Sequence, residues 1–175
     1  MNLGGSWGAS AAEREIALPC DDILPTALLR LHRAVTVDAP AAIVFRWLCQ
    51  LRLAPYSYDL LDNFGRRSPR ELTDGLDELS PGQRFMSIFR LVSSVPGEQI
   101  TLRAKRTAVT YAALQGAGQT RLLSRVLFEP PGPEPLASLT GRALALGDLV
   151  MMRKQLLTLK SLAERDAGRA ARGSP

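Results

Sequence analysis

The amino-acid sequence predicts an α+β fold in which a curved antiparallel β-sheet wraps around a long C-terminal α-helix, with two short helices after the first strand. Three observations carry the prediction. Residues 84–129 hold short runs of alternating apolar and polar side chains separated by Gly-containing turns, the pattern of an antiparallel meander. Residues 141–166 repeat apolar side chains at helical spacing. Between them and the N-terminus, one β-rich run, residues 31–37, is followed by a stretch whose apolar residues recur every third or fourth position.

The elements follow in order. In residues 31–37, Leu31, Arg33, Val35 and Val37 alternate with His32, Ala34 and Thr36. The valines and Thr36 favour a strand because their branched Cβ packs well on a pleated surface. Asp38 then offers a helix N-cap, Pro40 suits the first turn, and Ile43, Val44, Trp47, Leu48 and Leu51 share one helical face. A second short helix is expected over residues 57–63, stopping near Gly65. The meander begins with a strand over residues 84–93, closed by the turn Ser94-Val95-Pro96-Gly97. In residues 99–106, Ile100, Leu102 and Ala104 alternate with Gln99, Thr101, Arg103 and Lys105, which predicts one dry and one wet face. Strands over 107–115 and 119–129 flank the turn Gly116-Ala117-Gly118, with Leu122, Val126 and Phe128 on one face and Arg121 and Arg125 on the other. Such short connections exclude parallel pairing, which needs long crossovers. The run Pro130-Pro131-Gly132-Pro133-Glu134-Pro135 serves as the connection to the final helix. There Leu149, Met152, Leu156, Leu159 and Ala163 form a stripe too long and too apolar to face water, so it must pack on the sheet.

Composition narrows the function classes. The chain has 175 residues, 46% apolar and 22% charged, which suits one domain with a real core. Its net charge of +5 is modest, and the clusters Arg66, Arg67 and Arg70 and Arg165, Arg169 and Arg172 read as solvated loops and a tail. They lack the dense basic stripe of a nucleic-acid surface, so no nucleic-acid partner is expected. No run reaches the roughly 18 apolar residues of a membrane span, so no stable membrane insertion is expected and the cytoplasm is the default location. Residues 16–21 faintly resemble a lipoprotein cleavage site, but Pro19 precedes Cys20 and no signal-length apolar stretch lies upstream. Cys20 and Cys49 fit no CxxC spacing and read as buried thiols. With His32 the only histidine, a two-histidine metal site is excluded. No phosphate-binding glycine loop, nucleophile elbow or zincin helix occurs, and no cofactor is expected.

Several stretches resemble one branch of the START-like (SRPBCC, polyketide cyclase/dehydrase-related) superfamily, whose members have the helix-grip fold. They are Leu18-Pro19-Cys20-Asp21-Asp22 with Pro25, Val35-Thr36-Val37-Asp38-Ala39-Pro40, and Trp47-Leu48-Cys49-Gln50. Two more are Tyr56-Ser57-Tyr58-Asp59-Leu60-Leu61-Asp62-Asn63 and Gly147-Asp148-Leu149-Val150-Met151-Met152-Arg153. The resemblance implies a START-like domain over residues 16–167, between a leader without structure (1–15) and a flexible tail (168–175), and a ligand cavity between sheet and helix. It implies no single reaction, since members include cyclases, aromatases and lipid carriers. One departure is plain: the link Leu51-Arg52-Leu53-Ala54-Pro55 is short and lacks the glycines that relatives often carry, which puts ligand access between the two small helices in doubt.

The candidate ligand-binding residues are Trp47, Tyr56, Tyr58, Asp59, Phe89, Tyr111, Met152 and Gln155. Tyrosine presents an apolar ring with one hydroxyl, which suits orienting an oxygenated ligand in an apolar pocket. Tyr58 and Asp59 are the candidates for catalysis, Asp59 as a base if burial raises its pKa; the competing role is to pin the second helix. Trp47 either lines the cavity or packs its helix. Met152 is either a tolerant ligand contact or core, and Gln155 borders its stripe. Tyr111 has the small neighbours Val109 and Ala113 on its face; Phe85 and Phe89 share another. Three readings of function stand open. One is binding of a small hydrophobic ligand (lipid-, aromatic- or polyketide-like) by a monomer or homodimer, motivated by few ionisable groups at inward positions. The others are a cyclase-, aromatase- or dehydratase-type enzyme, and an interaction module without ligand.

Overall fold

The computed structural model describes residues 5–58, 65, 67–130 and 136–173. Their order is β1 (Ser6–Trp7), α1 (Ala11–Glu15), α2 (Cys20–Ile23), β2 (Leu29–Val37), α3 (Ala41–Cys49) with a 3-10 turn (Gln50–Arg52), and β3 (Arg84–Phe85). β4 (Phe89–Val95), β5 (Gln99–Ala104), β6 (Thr107–Gln115), β7 (Thr120–Phe128) and α4 (Leu136–Gly173) complete it. The strands form one open, seven-stranded curved sheet in the order β1-β2-β7-β6-β5-β4-β3, and α4 packs on it. The predicted fold class is therefore what the chain adopts, with one change: β1 pairs parallel to β2, so the sheet is mixed. The expected second short helix falls largely on residues 59–64, outside the described residues.

The alternation read from β2 decides which face looks at α4. Leu31 and Val37 enter the main core with Leu122, Val126, Val109 and Ile100, and with Met152, Leu156, Leu159 and Ala163 of α4. Leu149, expected on the same stripe, is only partly buried. Burying each large aliphatic side chain stabilises by about 1.5–3 kcal/mol, so this stripe alone anchors the helix. The hairpin turns also sit where expected. The Glu98 N–H donates to the Val95 carbonyl at 3.0 Å, and Gly97 has φ +80°, as the third residue of a type II turn after Pro96 requires.

Two expectations need correction. Asp38 does not cap α3: the N-cap is Pro40, and the Ala41 N–H instead donates to Gln115 Oε1 at 2.7 Å, a cap supplied by the far end of β6. The second concerns the sheet's outer face, which is wet only in part: Arg103 and Lys105 are exposed as expected, but the rest is covered. Cys20 of α2, with Leu18 and Leu24 on either side of that helix, covers Ala34, Ala108, Ala112, Leu123 and Leu127, forming a second small core. Thr101 and Thr110, fully buried there, bond each other at 2.9 Å, and the Cys20 N–H donates to Thr110 Oγ1. Arg125 is buried too, paired with Asp21. Cys20 and Cys49 are buried free thiols.

The N-terminal segment holds this cover in place. Residues 5–15, expected as a leader without structure, are ordered by specific contacts. Ser10 and Glu13 form a reciprocal capping box around α1, and Glu13 pairs with Arg121 at 2.6 Å. Arg121 holds the Glu13 carboxyl down, to a pKa of about 2. At the other end α4 runs on through residues expected to form a tail; there Arg165 and Arg169 reach Glu71 at 3.3 and 3.0 Å.

Candidate functional site

A pocket of about 380 Å³ opens between the concave face of the sheet and α4. Its walls come from four places. β6 gives Thr107, Val109 and Tyr111; β7 gives Val126 and Phe128; α4 gives Asp148, Met151, Met152 and Gln155. The rim is the link from β3 to β4, Met86-Ser87-Ile88 with Phe89, together with Pro55 and Ser57. Small side chains on β6 leave the space, since Val109 and Ala113 flank Tyr111 on its face.

The rim is held in an unusual backbone. Met86 and Ser87 both have positive φ, 43° and 65°, a region that costs a non-glycine residue about 1 kcal/mol or more. Hydrogen bonds over-determine it: the Met86 N–H donates to Leu51 O at 2.9 Å and the Ile88 N–H to Met86 O at 2.8 Å. The result turns Ile88 outward, 71% exposed at the mouth, and brings Met86 Sδ to 3.3 Å from Gln155 Nε2.

Inside, the polar groups are few and fixed. Tyr111 donates its hydroxyl to Gln155 Oε1 at 2.7 Å, and Gln155 Nε2 donates to Pro55 O at 2.6 Å. The amide is thereby locked in one orientation. Burial pushes the Tyr111 phenol far above its ordinary range, so it serves as a neutral hydrogen-bonding group and not as a base. Asp148 stands on the α4 wall and accepts a bond from Arg33 Nη2 at 2.8 Å. Arg33, fully buried on the inward face of β2, also donates Nη1 to His32 O, and its Nε finds no partner among the described residues. Desolvation drives the Asp148 carboxyl up to about 6, against the pull of Arg33, and lowers Arg33 in turn.

The sequence-predicted residues separate into distinct places. Phe89, Tyr111, Met152 and Gln155 line the pocket together. Trp47 is instead buried in the core between α3 and α4, donating Nε1 to Asp166 Oδ2 at 3.0 Å. Tyr56 packs edge-on against it, ring centroids 5.9 Å apart, in a positive-φ backbone. Tyr58 is exposed and borders a separate surface depression with Trp7, Leu149 and Arg153. Asp59 lies outside the described residues. His32 is half-buried on the opposite sheet face, where desolvation and the charges of Arg125 and Arg14 lower its pKa to about 4. Sequence reasoning missed Arg33, Asp148 and the Met86–Ile88 rim, and the expected shortage of inward ionisable groups is corrected by the Arg33–Asp148 pair. The signal for Arg33 was present: an arginine in register with Leu31, Val35 and Val37 must be buried, and a buried guanidinium needs a carboxylate.

Among the described residues no group of His, Cys, Asp and Glu could hold a metal ion. No helix among them is long and apolar enough to cross a membrane.

No family model matches the chain, and no curated protein does. Among solved structures, the chain is similar to the di-domain ARO/CYC StfQ from the steffimycin biosynthetic pathway at 16% identity and a TM-score of 0.47, covering 90% of this chain and 56% of that one. It is similar to protein CV1439 from Chromobacterium violaceum at 16% identity and a TM-score of 0.44, covering 77% and 96%. CalU16 from Micromonospora echinospora gives 13% identity and a TM-score of 0.37 over 77% and 85%. What the pocket can do follows from its own residues.

Proposed function

We propose that this protein binds a small, largely apolar molecule in the pocket between sheet and C-terminal helix. The supporting observation is the pocket's make-up: walls of Val109, Val126, Phe89, Met151 and Met152 with Tyr111, Gln155 and Asp148 as fixed polar points. Concave, apolar sites with a few convergent polar groups are the general form of small-molecule sites, and their usual volume starts at roughly 300 Å³. The space suits a compound of two or three fused rings. Two thioethers, Met151 and Met152, would adapt the wall to ligands of different outline.

Native mass spectrometry of the purified protein tests this first, by looking for a co-purified mass. Calorimetry with the methyl ether of a naphthol tests it directly. Val126→Phe fills the pocket and should remove binding while the protein still unfolds cooperatively. A protein that carries no small molecule and binds no apolar probe would sink the proposal.

A second reading, an enzyme of cyclase, aromatase or dehydratase type, draws support from one group. A carboxyl raised to about 6 stands partly protonated near neutral pH and could exchange a proton with a bound ligand. Tyr58 lends this reading no support from geometry, since it borders the other depression. Turnover of a polyketide-like substrate that vanishes in Asp148→Asn, with binding retained, would favour the enzyme over the binder.

A further inference from the structure

We propose that the pocket selects apolar ligands carrying one neutral hydrogen-bond donor, a phenol or alcohol hydroxyl, and that Asp148 Oδ1 is the acceptor that receives it. The assignment rests on the ligand-binding reading above and adds the class of ligand. The Asp148 side chain is only 7% exposed, and its Oδ2 is taken by Arg33 at 2.8 Å. Oδ1 accepts no hydrogen bond from any described residue, yet the residue lines the pocket. A carboxylate oxygen only accepts, so a ligand group that meets Oδ1 in the pocket must be a donor.

The neighbouring polar groups cannot supply it. Gln155 spends its amide on Tyr111, Pro55 and Met86, and the Tyr111 proton is committed to Gln155. A ligand hydroxyl entering among Val109, Val126 and Met152 would meet Asp148 Oδ1 on the α4 wall.

Charge decides between a neutral and a cationic donor. Arg33 is fully buried and already balances Asp148, and a guanidinium keeps its proton throughout the working pH range. A ligand ammonium would therefore bring a third, uncompensated charge into an apolar enclosure, at a large desolvation cost. A hydroxyl completes the cluster without adding charge.

The test compares a naphthol, its methyl ether and the matching naphthylmethylamine by calorimetry, at a pH above the titration of Asp148 and below that of the naphthol. The naphthol should bind about tenfold more tightly than the ether, the value of one hydrogen bond to a charged acceptor. The amine should bind no better than the ether. In Asp148→Asn, Arg33 holds Asn Oδ1 and turns the amide N–H toward the pocket; the naphthol and ether oxygens can both accept from it, so the preference for the naphthol should fall to less than about twofold. Where that variant fails to fold, the double variant Arg33→Met with Asp148→Leu removes both charges and should leave the ether bound with less than about twofold discrimination. Equal binding of naphthol and ether by the unaltered protein, or a preference that survives in the variants, overturns the assignment and leaves the pocket reading standing. An amine that binds tightest overturns the neutral class. Failure of every probe overturns the pocket reading and the assignment with it.

Discussion

Breaking the Arg33–Asp148 pair should be far more damaging than removing it altogether. Both side chains are buried, 0% and 7% exposed, and the bond between them joins β2 to α4 across the edge of the pocket. Deleting one partner of such a pair leaves an uncompensated buried charge, at a cost of about 3–5 kcal/mol. Replacing both by apolar residues of similar volume removes two desolvation penalties together and is near neutral or stabilising by about 1–4 kcal/mol. Arg33→Met, Asp148→Leu and their combination therefore form a double-mutant cycle with an expected coupling of at least about 3 kcal/mol. The two single variants should also differ in pH dependence. In Arg33→Met the stranded carboxyl loses the cation that held it down, so it takes a proton already above pH 6 and its penalty shrinks as pH falls; in Asp148→Leu the guanidinium cannot shed its proton, and the penalty persists. Urea unfolding followed by tryptophan fluorescence at mildly acidic and mildly alkaline pH reads both effects, because Trp47 is fully buried. Additive single-variant losses, or identical pH profiles for the two, would refute the reasoning.

Further expectations concern other parts of the frame. Asp148 has a folded-state pKa of about 6 against 3.8 unfolded; its contribution is present below about pH 4 and is lost as pH rises through 6, worth roughly 3 kcal/mol. His32 has the opposite sign: lowered to about 4 from 6.5, it costs stability as pH falls through that window. Unfolding titrations of His32→Gln should thus show stability falling more steeply with rising pH between 4 and 6 than in the unaltered protein, and parallel curves would contradict this. Gln155→Leu strands the fully buried Tyr111 hydroxyl and the Pro55 carbonyl and should cost about 2–4 kcal/mol in thermal unfolding, part of it recovered by adding Tyr111→Phe. Gly8→Ala places a Cβ against the Ala34 carbonyl oxygen at φ +72°. It should release the N-terminal segment to limited proteolysis within residues 5–15, and unchanged protection would show that the contact does not hold it.

The architecture was legible because it follows from local rules. Strand alternation in β2, β5 and β7, and the Met152–Leu156–Leu159–Ala163 stripe, state which side chains share a face whatever the rest of the chain does. Turn glycines 97 and 118 mark reversals because their positive φ is open to glycine. The candidate site was legible only where a strand or helix face fixed the direction of the side chain, as for Tyr111, Met152 and Gln155. Tyr56 sits in a left-handed backbone, and its ring went to Trp47, not to the pocket; composition does not record such a turn. Trp47 was assigned by its partner, Asp166, on a helix it reaches only after folding.

What the sequence determined by itself is the α+β class, the meander and the helix that must lie on it, since periodicity and turn chemistry act over a few residues. Only the tertiary structure decided that part of the outer sheet face is covered and that residues 5–15 hold that cover. It also decided that Arg33 meets Asp148, 115 residues apart in the chain, at the wall of the pocket. The physical reason is the same in each case. A buried charge or hydroxyl is settled by whichever distant group can satisfy it, and that partner exists only once the chain has closed around it.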